Sequence, residues 1–188
     1  MKNLSLVELS EFVNEQSFRT VSFDIDGTIY PIRKIQIRWW MKLLVSPLRA
    51  IRFYKIKQSW EERRKGRDVL IHSDDISFFE EFLTDMLDEN LVPLEIRDWI
   101  DELRKCEIEV YFLSDHGAVA KLSRLGLSGI AINCLTETGE LKPHAQISSL
   151  LHEKYKINPA KHIHFGDRWS DEEQAKLFGC SFRYLNPR

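Results

Sequence analysis

The chain has 188 residues, 43% hydrophobic and 30% charged, which suits one ordinary domain with or without a smaller insertion and excludes wholesale disorder. A formal net charge of -2 and a pI near 6.3 give no global pull toward nucleic acid, so nucleic acid is not an expected partner and any polyanion would need a local patch. Cys106, Cys134 and Cys180 stand far apart without a C-x-x-C pair, no secretion signal opens the chain and no apolar run is long enough to span a bilayer, so a reduced, cytoplasmic protein is expected.

In chain order, Leu4, Leu6, Val7, Leu9, Phe12 and Val13 recur at helical spacing behind Ser5, a candidate N-cap, and predict a short amphipathic helix. Val21, Ser22 and Phe23 then read as the end of a buried strand. The string VSFDIDGTIY that contains them places Asp24 and Asp26 two residues apart, facing one site if the strand continues. Two neighbouring carboxylates repel, and a hard cation such as Mg2+ is their natural neutraliser. For a bare D-x-D, an acidic turn is the plainer reading.

From Pro31 to Lys57 the chain carries Arg33, Lys34, Arg38, Lys42, Arg49, Arg52, Lys55 and Lys57 among many apolar residues, and no acid. Pro47 should interrupt the helix there, giving two shorter helices or a kinked one. Ser73 to Ile96 is the mirror image, acidic without Lys or Arg, and its apolar spacing predicts another amphipathic helix. The simplest account pairs the two charge blocks within one small helical unit. A basic rim that attracts an anionic substrate is compatible with it, and a membrane-surface helix is a third, less favoured account.

Beyond Pro93 strands and helices alternate: helix Leu94 to Cys106, strand Ile108 to Leu113, helix Ala118 to Leu125, strand Ile130 to Cys134, helix Gln146 to Tyr155, strand Ile163 to Phe165, helix Asp171 to Phe178 and strand Ser181 to Tyr184. The fold class expected is therefore α/β, a Rossmann-like parallel sheet with helices on both faces and a small inserted helical unit. Residues 1–32 and 93–188 would form the sheet domain and 33–92 the insertion. Ligands of such sheets bind beyond the carboxyl ends of the strands.

Three further stretches follow predicted strands or lie between them. Ser114 in YFLSDHG is a hydroxyl at a strand end, able to donate to an anionic oxygen with help from backbone N–H groups at the next helix, although Ser is also a common N-cap. Lys142, in ETGELKPHAQ, precedes a proline, which keeps it out of helical conformation; a solvated turn lysine is the bland alternative, and Lys121 and Lys161 are its rivals as the site's cation. Asp167 and Asp171, in HFGDRWSDEEQAKLFG, again place two acids after a strand, with helix capping as the plain role for Ser170 or Asp171.

In this order the four stretches resemble the signatures of the haloacid dehalogenase superfamily, from D-x-D-G-T to GD-x-x-x-D. The resemblance covers the sheet domain and not the insertion. An insertion between the first two signatures is similar to the subclass with a helical cap, of which phosphoglycolate phosphatase-like and nucleotidase-like enzymes are examples. Asp115 stands where many relatives have Asn, which puts its side-chain contact in question.

The resemblance implies a Mg2+-dependent phosphatase acting on a small phosphorylated metabolite. Asp24 would be the nucleophile that forms an aspartyl phosphate, Asp26 the general acid and base, and Ser114 and Lys142 the holders of the phosphoryl oxygens, with Thr28 and Asp115 also on the substrate side. Asp24, the carbonyl of Asp26 and Asp167 would hold the metal, while Asp171 would bind through water or orient Lys142. Arg33, Arg38, Trp39 and Arg67 are possible substrate contacts on the insertion. A non-catalytic protein of the same fold, a peripheral membrane protein using residues 33–57, and a dehalogenase are the other readings; the Asp26 acid and the Mg2+ constellation favour phosphate over a carbon–halogen bond.

Overall fold

The structure, a computed structural model, describes Val13 and residues 17–187. The helix expected from Leu4 to Val13 lies outside the described residues except for Val13, which is buried. At the centre, parallel strands lie in the order β3-β2-β1-β4-β5: β1 (Thr20–Asp24), β2 (Glu109–Ser114), β3 (Ile130–Asn133), β4 (His162–Gly166) and β5 (Ser181–Tyr184).

The middle strand, TVSFD, alternates between two kinds of side chain, and the sheet takes its two faces from that alternation. Val21 and Phe23 enter an apolar face, where the Phe23 ring lies 5.2 Å from Trp99, 5.9 Å from Phe112 and 5.3 Å from Phe165 between centroids. Thr20, Ser22 and Asp24 take the opposite face. There Thr20 Oγ1 is 2.8 Å from Nδ1 of His162, and Ser22 Oγ lies 2.8 Å from Nε2 of His162 and 2.7 Å from Nδ1 of His164. All of β1 is buried, so these polar groups need protein partners, and the neighbouring strand provides them.

Helix α4 (Leu94–Lys105) turns Ile96, Trp99, Ile100 and Leu103 onto the Phe23 face. Helices α7 (Ala145–Glu153) and α8 (Trp169–Phe178) bury Ile147, Leu151 and Phe178 against Tyr111, Leu113 and Ile132 on the other. Helix α5 (Ala118–Arg124) links β2 to β3. The strand expected from Ile130 to Cys134 stops at Asn133, and a short helix, α6 (Cys134–Thr138), follows at once, which Gly139, at φ +78°, ends.

The insertion consists of α1 (Ile32–Val45), α2 (Pro47–Arg64) and α3 (Ser73–Thr84). Pro47 divides the basic segment into two helices as expected and occupies the first turn of the second, where a missing N–H costs nothing. The acidic stretch is helical only to Thr84; Asp88 then caps a 3-10 turn, Glu89–Leu91, by accepting from the Asn90 N–H, before α4 begins at Leu94. The opposite charge blocks pair: Arg38 with Asp88 at 2.6 Å, Arg49 with Glu81 at 2.7 Å, Arg52 with Asp75 at 2.8 Å and Lys42 with Asp85 at 3.9 Å. These pairs are largely exposed and worth little singly. Packing holds the unit together, with Phe53 stacked on Phe79 at 4.2 Å and Trp60 at 4.4 Å from Phe79. Trp60 and Phe79 continue onto His116, at 5.0 and 4.7 Å, so the insertion is seated on the carboxyl ends of the strands. Among the described residues, no helix is long and apolar enough to cross a membrane.

Candidate active site

Asp24 ends β1, Ser114 ends β2, and Asp167 follows the last residue of β4. The chain runs from β1 to β2 and β3 on one side, then crosses to β4 on the other, so these ends meet at the point where strand order reverses.

Lys142 is the hub of the site. Its Nζ lies 2.6 Å from Oδ1 of Asp24, 2.7 Å from Oδ1 of Asp171 and 3.3 Å from the Leu113 carbonyl, three acceptors for three ammonium hydrogens. At 1% exposure, burial alone would favour a neutral amine; Asp171 and Asp24 override it and hold the group charged, well above the ordinary lysine value. Asp171 is held below the carboxylate range, burial working against that and Lys142 outweighing it. Its Oδ2 accepts from the Arg168 N–H at 3.3 Å, so the capping role and the Lys142 contact coexist on one side chain.

Asp24 has the opposite balance. Burial pushes its carboxyl up to about 7, Lys142 lowers it and Asp171 adds to the rise. Its Oδ2 has one long hydrogen bond, 3.5 Å from the Thr28 hydroxyl. Asp167 is also raised, first by burial, with Arg168 opposing. Carboxylate oxygens of Asp24, Asp167 and Asp171 lie within 4.8 Å of one another. Two of these three acids are therefore costly to ionise as they stand. The hard oxygen donors and the crowded negative charge fit a divalent ion such as Mg2+. Gly27 permits the approach: at φ +95°, a Cβ there would stand 2.3 Å from Oδ2 of Asp167.

Asp26 turns its side chain away from this cluster. Its carboxylate hydrogen bonds to Lys121 and to the Tyr30 hydroxyl, and its main-chain carbonyl accepts from Arg168 Nη2 at 3.3 Å. Burial raises the carboxyl, but the Lys121 ammonium outweighs it and holds Asp26 well below the usual range. Lys121 is wholly buried and also donates to Ser114 Oγ at 2.9 Å. It stood behind Lys142 in the sequence, yet the site contains both. The sequence signal lay in its spacing, because Lys121 is three residues after Ala118, beside Leu122 and four before Leu125, all buried. Lys161 lies on the turn Pro159–Lys161 before β4, at the far end of the sheet.

Ser114 is buried and its hydroxyl donates to the His116 carbonyl at 3.0 Å. The N–H of Gly117, just before α5, is taken by Glu80 of α3 at 2.6 Å, so this donor is committed to the insertion rather than left open for an anion. Asp115 accepts from the Lys142 N–H at 2.8 Å through Oδ1 and pairs with Arg64 of α2 through Oδ2. A carboxylate in place of the common Asn thus receives a guanidinium from the insertion. Arg64, Arg168, Tyr30 and His116 were not anticipated in the site; burial pushes His116 down to about 3, so it is neutral at pH 7.

A cavity of about 290 Å³ lies between sheet and insertion. Asp24, Asp26, Asp115, Lys142, Arg168 and Asp171 line one part of it, and the insertion supplies a largely aromatic wall. Ser114, Thr28 and Asp167 are not on the lining. Of the suggested substrate contacts only Trp39 is; Arg38 is paired with Asp88 and Arg67 with Glu62, and Arg33 lies off the wall.

The model of a family of hydrolases, the haloacid dehalogenase-like hydrolases, matches residues 18–179. No curated protein matches the chain. Similar solved structures include L-2-haloacid dehalogenase from Xanthobacter autotrophicus, with TM-score 0.57 and 20% identity over 88% of this chain and 76% of that one. CbbY from Rhodobacter sphaeroides, in complex with phosphate, gives TM-score 0.64 and 13% identity over 91% and 87%. The HAD-hydrolase YfnB from Bacillus subtilis, bound to magnesium, gives 0.65 and 14% over 88% and 87%. At these identities the likeness shows the fold.

Proposed function

The chain belongs to the haloacid dehalogenase-like hydrolases, and from that premise we propose that it is a Mg2+-dependent phosphatase that cleaves a phosphate monoester through a phosphorylated Asp24. The observation that carries this reading is the pairing at Lys142: one oxygen of Asp24 is fixed by the ammonium, and the other is left with a single long contact. A carboxylate so held has one oxygen positioned and one available to attack. Residues 33–92 would be its cap, closing the site from solvent.

Asp24, Asp167 and the main-chain carbonyl of Asp26 would hold Mg2+, with Asp171 steering Lys142; when bound, the ion supplies positive charge that offsets repulsion between nucleophile and phosphate. Asp24 Oδ2 attacks phosphorus, the P–O bond to the alcohol breaks, and Asp26 gives the departing oxygen its proton. Water then adds to phosphorus while Asp26 takes a proton from it, the bond to Asp24 breaks, and inorganic phosphate leaves. Lys121 and Tyr30 favour the ionised, basic form of Asp26 in the free site. An incoming phosphate is itself anionic and favours the protonated form that the first step needs. Lys142 and Ser114 would contact the phosphoryl oxygens, Ser114 after its hydroxyl turns from the His116 carbonyl.

Replacing Asp24 by Asn should abolish Mg2+-dependent hydrolysis of a generic aryl phosphate while circular dichroism and thermal unfolding stay those of a folded protein. Turnover retained in that variant would refute the nucleophile.

A further inference from the structure

The phosphatase reading leaves the alcohol half of the substrate open, and the wall facing the acids speaks to it. The insertion lines the cavity with Ile35, Trp39, Trp40, Phe53, Tyr54 and Leu83, among others of the same kind. Its polar contributions are few. Arg64 is bound to Asp115 and Glu61, and Glu61 also faces Arg168 at 4.0 Å. Among the described residues that leaves Gln36, Tyr54 and Lys57 as the polar side chains of this wall without a hydrogen bond or ion pair. One further donor stands out, for the indole Nε1 of Trp39 is buried and has no partner.

A sugar or nucleotide brings several hydroxyl groups, and each one desolvated without a partner weakens binding. Three free polar side chains on a mainly apolar wall leave part of them unmatched. An apolar body gains instead, at about 0.8 kcal/mol for each methylene removed from water, which converts to roughly fourfold per methylene. Trp40 and Tyr54 belong both to the cavity wall and to the exposed surface, at 60% and 49% exposure, so the apolar lining runs out to the solvent edge beside the exposed Gln36 and Lys57.

Resting on the phosphatase reading, we propose that the substrate is an amphiphilic phosphate monoester, whose phosphate meets Asp24 and Lys142 and whose large apolar body lies against Trp39, Phe53 and Leu83. Sugar phosphates and nucleotides are poor substrates by the same chemistry.

The test is a series of n-alkyl phosphates from ethyl to octyl, each below its aggregation concentration, with glycerol 3-phosphate, glucose 6-phosphate and p-nitrophenyl phosphate alongside, all with Mg2+. Leaving-group basicity changes little along the alkyl series, so kcat/KM isolates binding of the apolar body. The expected result is a rise of about two- to fourfold per methylene until the cavity is full, with the polyol esters no better than ethyl phosphate. Inhibition by non-hydrolysable alkyl phosphonates should strengthen along the same series. In Leu83→Asp the octyl-to-ethyl ratio of kcat/KM should fall at least tenfold, and Leu83→Met should keep it. A flat series, or polyol esters preferred over octyl phosphate, would overturn the amphiphile and leave the phosphatase standing. No hydrolysis of any ester, p-nitrophenyl phosphate included, would overturn both.

Discussion

Two lysines divide the work of one site, and each has a partner that explains its burial. Lys142 fixes Asp24 and Asp171, while Lys121 fixes Asp26 and Ser114. Lys121→Met should therefore leave Asp26 without its cation, lowering kcat about 100-fold with KM changed only a few-fold, and Lys121→Arg should recover part of the loss. An unchanged kcat would remove Lys121 from any role in placing Asp26. His162 makes a different prediction, since it lies on the sheet between Thr20 and Ser22 and burial pushes it from 6.5 to about 3. Its folded value is depressed, so the unfolded chain binds the proton first. The stability it contributes is present above pH 6.5 and is lost as pH falls toward 3, amounting to about 2 kcal/mol between pH 7 and 5. Urea unfolding at several pH values should carry that contribution beside the one from buried His116, also pushed to about 3, and His162→Asn should remove it.

At the level of elements, polar contacts join the aromatic packing on His116 in holding the insertion over the strand ends. Arg64 of α2 reaches Asp115 after β2, Glu80 of α3 accepts from Gly117 at the start of α5, and Arg63 of α2 meets Glu140 at 3.0 Å. The first is the most buried, with side-chain exposures of 8% and 10%. Arg64→Met would leave Asp115 buried beside one N–H donor, at a cost of about 3 kcal/mol in unfolding free energy, whereas Arg64→Met with Asp115→Asn should cost clearly less. Hydrogen exchange at the end of α2 should rise in the single variant. Simple additivity of the two changes would show that the contact does not hold the helix in place.

Across the whole molecule, the strand ends gather acids that no single segment could gather. Asp24, Asp167 and Asp171 bring three carboxylates within 4.8 Å, and two of them are raised above their ordinary value. A divalent ion that binds only the folded chain stabilises it by about 2.7 kcal/mol at a hundred times its Kd, or roughly 5–10 °C for a chain of this size. Mg2+ should therefore raise the Tm of the wild type by that order and of Asp167→Asn much less, as scanning calorimetry would record. Equal shifts in both proteins would place the ion elsewhere.

How much of this could be read from the chain follows the range of each interaction. The strand end at Val21 to Phe23, the proline that divides the basic segment, and the opposite charge blocks are local patterns, and each became the element or pairing it predicted. Strands alternating with helices made the parallel sheet legible too, because a buried parallel strand has few other ways to be written. Contact partners were less accessible. Ser114 read as an open donor until the fold brought Lys121 and the His116 carbonyl to it, and Asp115 read as a departure from a pattern until Arg64 arrived from the insertion. The aromatic wall was visible only as interleaved apolar residues, with nothing to say that Trp39 and Phe53 would face Asp24 across a cavity.

By itself the sequence determined the elements, the sheet and the acids that end its strands, since those depend on periodicity and on residue types a few positions apart. Tertiary structure alone decided that Lys121 meets Asp26, that Arg64 meets Asp115 and what lines the cavity, because those depend on side chains brought together from segments distant in the chain, and only packing sets that distance.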